Sequence, residues 1–141
     1  MSCLLAIDPG TTHSGWVLMR NGQPWNSGVT TNAEIIDMLR EYAHQVAIEM
    51  IASYGMAVGA EVFETCVWIG RFVQVVGVDR VRLVYRKEVK SHLCGSQKAK
   101  DANIRQALID RWGGKAEAIG NIRMACTGRR GHGCGNLTGD L

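Results

Sequence analysis

No stretch of this 141-residue chain approaches the roughly 20 consecutive apolar residues that a bilayer-spanning helix requires. The N-terminus also lacks a basic region followed by a signal-type apolar segment. Both absences argue for an intracellular, cytoplasmic protein without a membrane partner. The five cysteines, at positions 3, 66, 94, 126 and 134, include no Cys-x-x-Cys pair. Odd in number and scattered, they read as reduced thiols rather than a disulfide framework. Cys126, His132 and Cys134 raise the idea of zinc, but a paired spacing and a clear fourth ligand are missing. There is no internal repeat and no large charge excess. Sixteen Lys and Arg against thirteen Asp and Glu give a formal charge of +3, which permits a polyanionic partner without requiring one. With 46% hydrophobic and 21% charged residues, the balance is that of a globular chain, long enough for one domain with a sizeable core.

What is present is organised around residues 4–19. Leu4-Leu5-Ala6-Ile7 runs as a strand buried on both faces, enters Asp8, and is stopped by Pro9-Gly10. A carboxylate where a buried strand surfaces is either a metal ligand or a turn-former that bonds its own backbone. Gly15–Arg20 and Gln23–Thr30 read as two further strands, and Asn21-Gly22 between them is a strong two-residue hairpin signal. Three antiparallel strands are therefore expected at the start.

Thr31-Asn32-Ala33-Glu34 has capping-box spacing and opens a helix whose Ile35, Met38, Leu39 and Tyr42 share one face. Val46–Ile48 then reads as a short buried strand ended by Glu49. A crossover helix between them makes that strand parallel to the first. After a loop over 50–59, a helix is expected over 60–76. Its Val62, Cys66, Ile69, Val73 and Val76 repeat at steps of four and three, with Phe63, Val67 and Gly70 widening the arc. This face either packs on the sheet or forms part of a homodimer seam. Residues 81–85 read as a fifth strand, followed by a basic segment with Arg86, Lys87, Lys90, Lys98 and Lys100. Asp101 is an expected N-cap for a helix carrying Ile104, Ala107, Leu108 and Trp112, closed by Gly113-Gly114. From residue 120 the chain is rich in glycine and arginine and too poor in apolar residues for a core, so it is expected to be mobile. The division is a domain over 1–119 and a tail over 120–141.

Asp8 and Glu49 thus end strands expected to lie side by side. Two converging carboxylates suit a hard divalent cation, and a pair of such ions about 3.5–4 Å apart is a known means of phosphodiester hydrolysis. Such a pair of ions usually needs further acids.

Ala6-Ile7-Asp8-Pro9-Gly10, Ser14-Gly15-Trp16 and Val46-Ala47-Ile48-Glu49 resemble the RuvC-type Holliday-junction resolvases of the RNase H-like superfamily, and most of all their small phage and prophage members. The basic stretches over 85–90 and 98–108 are similar to the same family, so the likeness spans about residues 3–112. It implies an α/β RNase H-like fold: a mixed five-stranded sheet, three antiparallel strands then parallel ones, flanked by helices. It implies a Mg2+- or Mn2+-dependent endodeoxyribonuclease that cuts four-way or otherwise branched DNA in recombination or phage DNA processing. The expected setting is a bacterial cytoplasm, with the enzyme acting as a homodimer through helix 60–76. Asp8 and Glu49 are carried over as catalytic metal ligands. Lys87, Lys90, Lys98 and Lys100 fall in the basic region expected near the DNA backbone, and Tyr54 is the candidate ring for an unpaired base.

Family members end in a helix that supplies a third acid and often a fourth ligand. Here Asp140 is the candidate third acid, and the helix itself is missing from the sequence. The expectation is a truncated chain; the alternatives are that Asp101 substitutes, or that the chain is a non-catalytic branched-DNA-binding relic. An actin-like or sugar-kinase ATPase, whose phosphate loop also carries Asp-x-Gly-Thr-Thr after a strand, needs a second duplicated domain, for which 141 residues are too few.

Overall fold

The computed structural model describes residues 2–42 and 44–112. Asp140, Gly113-Gly114, the Cys126–His132–Cys134 group and the 120–141 tail all lie outside the described residues. Five strands are formed: β1 (Cys3–Asp8), β2 (His13–Arg20), β3 (Gln23–Thr31), β4 (Gln45–Met50) and β5 (Val81–Tyr85). They are joined in one sheet in the order β3-β2-β1-β4-β5. The first three pair antiparallel, whereas β4 lies parallel to β1 and β5 parallel to β4. Asn21 and Gly22 turn the β2–β3 hairpin with φ of 49° and 76°, the two positive values that a type I′ turn requires.

Helix α1 (Asn32–Tyr42) makes the β1-to-β4 crossover, and α2 (Ala60–Val76) makes the β4-to-β5 crossover. The expected capping box opens α1. The Thr31 amide donates to Glu34 Oε2 at 2.8 Å, and the Glu34 amide returns a bond to Thr31 Oγ1 at 3.3 Å. Both helices pack on one face of the sheet, enclosing Leu5, Ile7, Trp16, Leu18, Ile35, Met38, Leu39, Val46, Ile48, Ile69, Phe72 and Val76.

Three expectations are corrected here. The first strand is buried fully on one face only. Leu5 and Ile7 enter the core, while Leu4 and Ala6 on the other face are half-buried. The buried stripe of α2 is Thr65, Ile69, Phe72 and Val76, rotated from the expected one; Val62, Cys66 and Val73 sit at its margin. Phe63 and Val67, expected to widen the apolar arc, are each 62% exposed. The apolar arc of the helix is wider than its buried stripe, with Glu61, Glu64, Arg71 and Gln74 taking the remainder, so periodicity alone did not distinguish its core face. Finally, the basic segment after β5 folds as a helix, α3 (Arg86–Cys94), and Asp101 is the first residue of α4 (Asp101–Arg111) rather than its cap, a position taken by Lys100. Among the described residues no helix is long and apolar enough to cross a membrane.

Candidate active site

Register brings the two acids together. Ile7 pairs with Ile48 across β1 and β4, and both side chains enter the core. The next residues, Asp8 and Glu49, therefore project from neighbouring strand ends onto the opposite face, because side chains alternate along a strand. There they border a cavity of about 310 Å³ walled by Ala6, Val17, Ala47, Val84 and Val89. The third strand end is adjacent as well, since Glu49 pairs with Val84 and β5 runs directly into α3.

The turn after Asp8 is held by a small buried network. Ser14 Oγ donates to Asn32 Oδ1 at 2.6 Å, and Asn32 Nδ2 donates to the Gly10 carbonyl at 2.9 Å. The Gly10 amide donates to Ser14 Oγ at 3.3 Å, and the Asn32 amide bonds the Thr12 carbonyl at 2.9 Å. Ser14 and Asn32 are each 1% exposed, so these partners replace water rather than supplement it. Gly10 is required by space: a Cβ there would stand 2.2 Å from the His13 carbonyl oxygen. Asn32, overlooked within the capping box, thus ties the start of α1 to the turn that aims Asp8.

The Asp8 carboxyl is pushed up from an ordinary 3.8 to about 6. Crowding by protein at the cavity mouth is the largest cause, repulsion from Glu49 adds to it, and Arg86 opposes both. Asp8 remains open to solvent on its outer side. Asp8 and Glu49 thus present two hard oxygen donors side by side, their repulsion only partly offset by Arg86. That donor set fits a hard divalent cation whose remaining positions are filled by water or phosphate. Among the described residues, no group of three or more His, Cys, Asp or Glu converges.

The residue that sequence reasoning passed over is Arg86. Its Nη1 lies 3.5 Å from Glu49 Oε1, and its Nη2 lies 2.5 Å from Asp101 Oδ1. Asp101, read from sequence mainly as an N-cap and alternatively as a substitute acid, is linked to the site through this arginine. Its carboxyl is held below the usual range first by Arg86 and then by Lys90 and Arg105. The signal was available: a cation immediately after the strand that neighbours Glu49.

The candidate DNA-contacting residues fall on the same side of the chain order. Lys87 and Lys90 lie on α3, Lys98 in the turn after it, and Lys100 at the start of α4. Lys87, Lys98 and Lys100 are exposed and Lys90 half-buried. Tyr54 sits in the loop that follows Glu49, 61% exposed and with φ of 49°, a left-handed value uncommon outside glycine. Gly55 continues the turn at φ of 81°.

A five-stranded sheet in this order, with helical crossovers and acids at the ends of its central strands, is the RNase H-like fold. Among solved structures the chain is similar to Thermus thermophilus RuvC, at 20% identity and a TM-score of 0.62, covering 81% of this chain and 82% of that one. It is likewise similar to T. thermophilus RuvC in complex with a Holliday junction substrate, at 18% identity and a TM-score of 0.64, covering 89% and 91% of the two chains. No family model and no curated protein matches the sequence. At these identities the likeness establishes a shared fold.

Proposed function

We propose that this chain is a structure-selective endonuclease that cuts four-way or otherwise branched DNA by metal-dependent phosphodiester hydrolysis. The observation that carries the reading is the Asp8–Glu49 pair, mutually repelling at adjacent strand ends beside an open cavity. The likeness of this chain to T. thermophilus RuvC in complex with a Holliday junction substrate supports the substrate class. Asp8 and Glu49 hold Mg2+ or Mn2+, with Asp140 the proposed third ligand. When bound, that ion supplies Lewis acidity and charge neutralisation at the scissile phosphate. The protein's own contribution is to aim the two carboxylates, through strand register and the Ser14–Asn32 network. Lys87, Lys90, Lys98 and Lys100 hold the phosphate backbone, which positions the junction without reading sequence. Tyr54, presented outward by a left-handed turn, stacks on an unpaired base at the branch point.

A homodimer places two such sites for paired nicks. The exposed Phe63, Val67 and Gly70 lie at steps of four and three on the outer face of α2, and the space beside Gly70 is open. A twofold contact along this face is self-complementary. One observation favours the second reading, a branched-DNA binder without cleavage: only two acids gather among the described residues. The two readings separate in a single assay with a labelled four-way junction and a linear duplex of the same sequence. The nuclease cuts the junction selectively when Mg2+ is added and not in EDTA. Selective binding with no cleavage in either Mg2+ or Mn2+ establishes the second reading.

A further inference from the structure

Arg86 breaks a local rule. It is the first residue of α3, where the helix dipole disfavours a cation. The bond that closes this helix end is made by Glu88, whose Oε2 accepts from the Tyr85 amide at 2.7 Å. Arg86 spends its guanidinium elsewhere, between acids on two other elements. The contact with Asp101, at 2.5 Å, is a short charge-assisted bond, whereas the 3.5 Å separation from Glu49 is at the limit of hydrogen bonding. Asp101 therefore holds the arginine, and Glu49 feels it mainly as a nearby charge. The side chain is 48% exposed, so its position is set by these two partners rather than by packing.

We propose that Arg86 is the resident counter-ion of Glu49, setting the divalent-cation affinity of the Asp8–Glu49 pair, and that Asp101 is the anchor limiting how far it neutralises Glu49. This rests on the reading of that pair as the metal site. A divalent ion held by that pair would meet the repulsion of a guanidinium whose Nη1 stands 3.5 Å from Glu49 Oε1. Removing that charge tightens ion binding. Neutralising Asp101 leaves the guanidinium with Glu49 as its remaining acid partner among the described residues, and ion binding weakens. Two substitutions on one salt-bridge chain thus have opposite effects on the same quantity, which general loss of structure does not produce.

The test is calorimetric titration of the purified, DNA-free protein with Mn2+ at pH 7.5. Arg86→Gln is expected to bind about tenfold more tightly and Asp101→Asn about threefold more weakly, the scale of one charge acting through a largely solvated site. Arg86→Lys, which keeps the charge, stays within about threefold of wild type on the same basis. Binding to Arg86→Gln with none detectable in wild type supports the proposal. Affinities for both neutralising variants that match wild type overturn it, as does any loosening by Arg86→Gln, absence of binding in all forms, or binding that survives Asp8→Asn with Glu49→Gln. The nuclease reading fails separately: selective junction binding with no cleavage in either Mg2+ or Mn2+ removes it, whatever the Arg86 and Asp101 variants do to Mn2+ affinity.

Discussion

Asp8→Asn should stabilise the protein while removing its proposed activity. In the folded chain the Asp8 carboxyl titrates near 6, against 3.8 when unperturbed. The folded state therefore holds this proton more tightly than the unfolded state does, and ionisation opposes folding. The sign follows: the Asp8 contribution to stability is most favourable below about pH 4, where the carboxyl is neutral in both states, and is lost as pH rises through 6. Each tenfold change in proton affinity corresponds to about 1.4 kcal/mol, which puts an upper bound near 3 kcal/mol on the effect. Asp8 is open to solvent on one side, so screening reduces this to about 1 kcal/mol. For a domain of this size that is a rise in melting temperature of about 3 °C for the asparagine variant at pH 7.5. The gain should shrink as pH falls from 6 and vanish near pH 4. Thermal unfolding in EDTA at several pH values measures it directly. Equal melting temperatures at pH 7.5, or a gain that persists at pH 4, would refute a strained carboxylate pair.

Asn32→Ala leaves the Gly10 carbonyl and the Ser14 hydroxyl without their buried partner, and should cost about 3 kcal/mol in urea unfolding; a loss below 0.5 kcal/mol, on the order of a surface change, would show that the network is dispensable. Gly10→Ala forces the β1–β2 turn to move away from the His13 carbonyl and should destabilise by about 2 kcal/mol, with weaker Mn2+ binding in the same preparation. Lys90→Ala and Lys98→Ala should each weaken junction binding and reduce the slope of log affinity against log salt by about one; unchanged slopes would place these lysines away from the backbone. Val67→Glu on the exposed face of α2 should convert a dimer to a monomer in sedimentation while the melting temperature stays within about 3 °C, whereas an unaffected dimer would locate the contact elsewhere.

The elements most legible in the sequence were those with strong local chemistry. Asn21-Gly22 demanded a hairpin, Thr31 and Glu34 demanded a helix start, and the apolar runs ending in Asp8 and Glu49 demanded neighbouring strands. Helix α2 was legible in extent but not in orientation, because Val62, Phe63, Val67 and Val73 surround the true core face of Ile69 and Phe72 with competing apolar positions. Helix α3 escaped notice because Arg86-Lys87-Glu88 and Lys90 resemble a solvated basic stretch, and Tyr85 gives no recognisable cap. The link from Glu49 through Arg86 to Asp101 is a tertiary feature. It depends on β5 lying next to β4 and on α4 returning beside α3, and the sequence hints at it only through the cation directly after β5. Asn32 was obscured for a related reason. Its place inside a helix-start motif accounts for its presence there, yet its side chain serves a turn twenty-two residues earlier.

The central claim is that Asp8 and Glu49 form the cation-dependent cutting site for branched DNA. Its most direct measurement is single-turnover cleavage of a labelled four-way junction by wild type, Asp8→Asn and Glu49→Gln, with junction binding recorded in parallel. Paired nicks near the branch point are expected from wild type in Mg2+, none in EDTA, and at least a hundredfold slower cutting by each variant, about the scale of losing one electrostatic partner at a reacting phosphate, with binding retained. Cleavage by either variant at the wild-type rate would contradict the account.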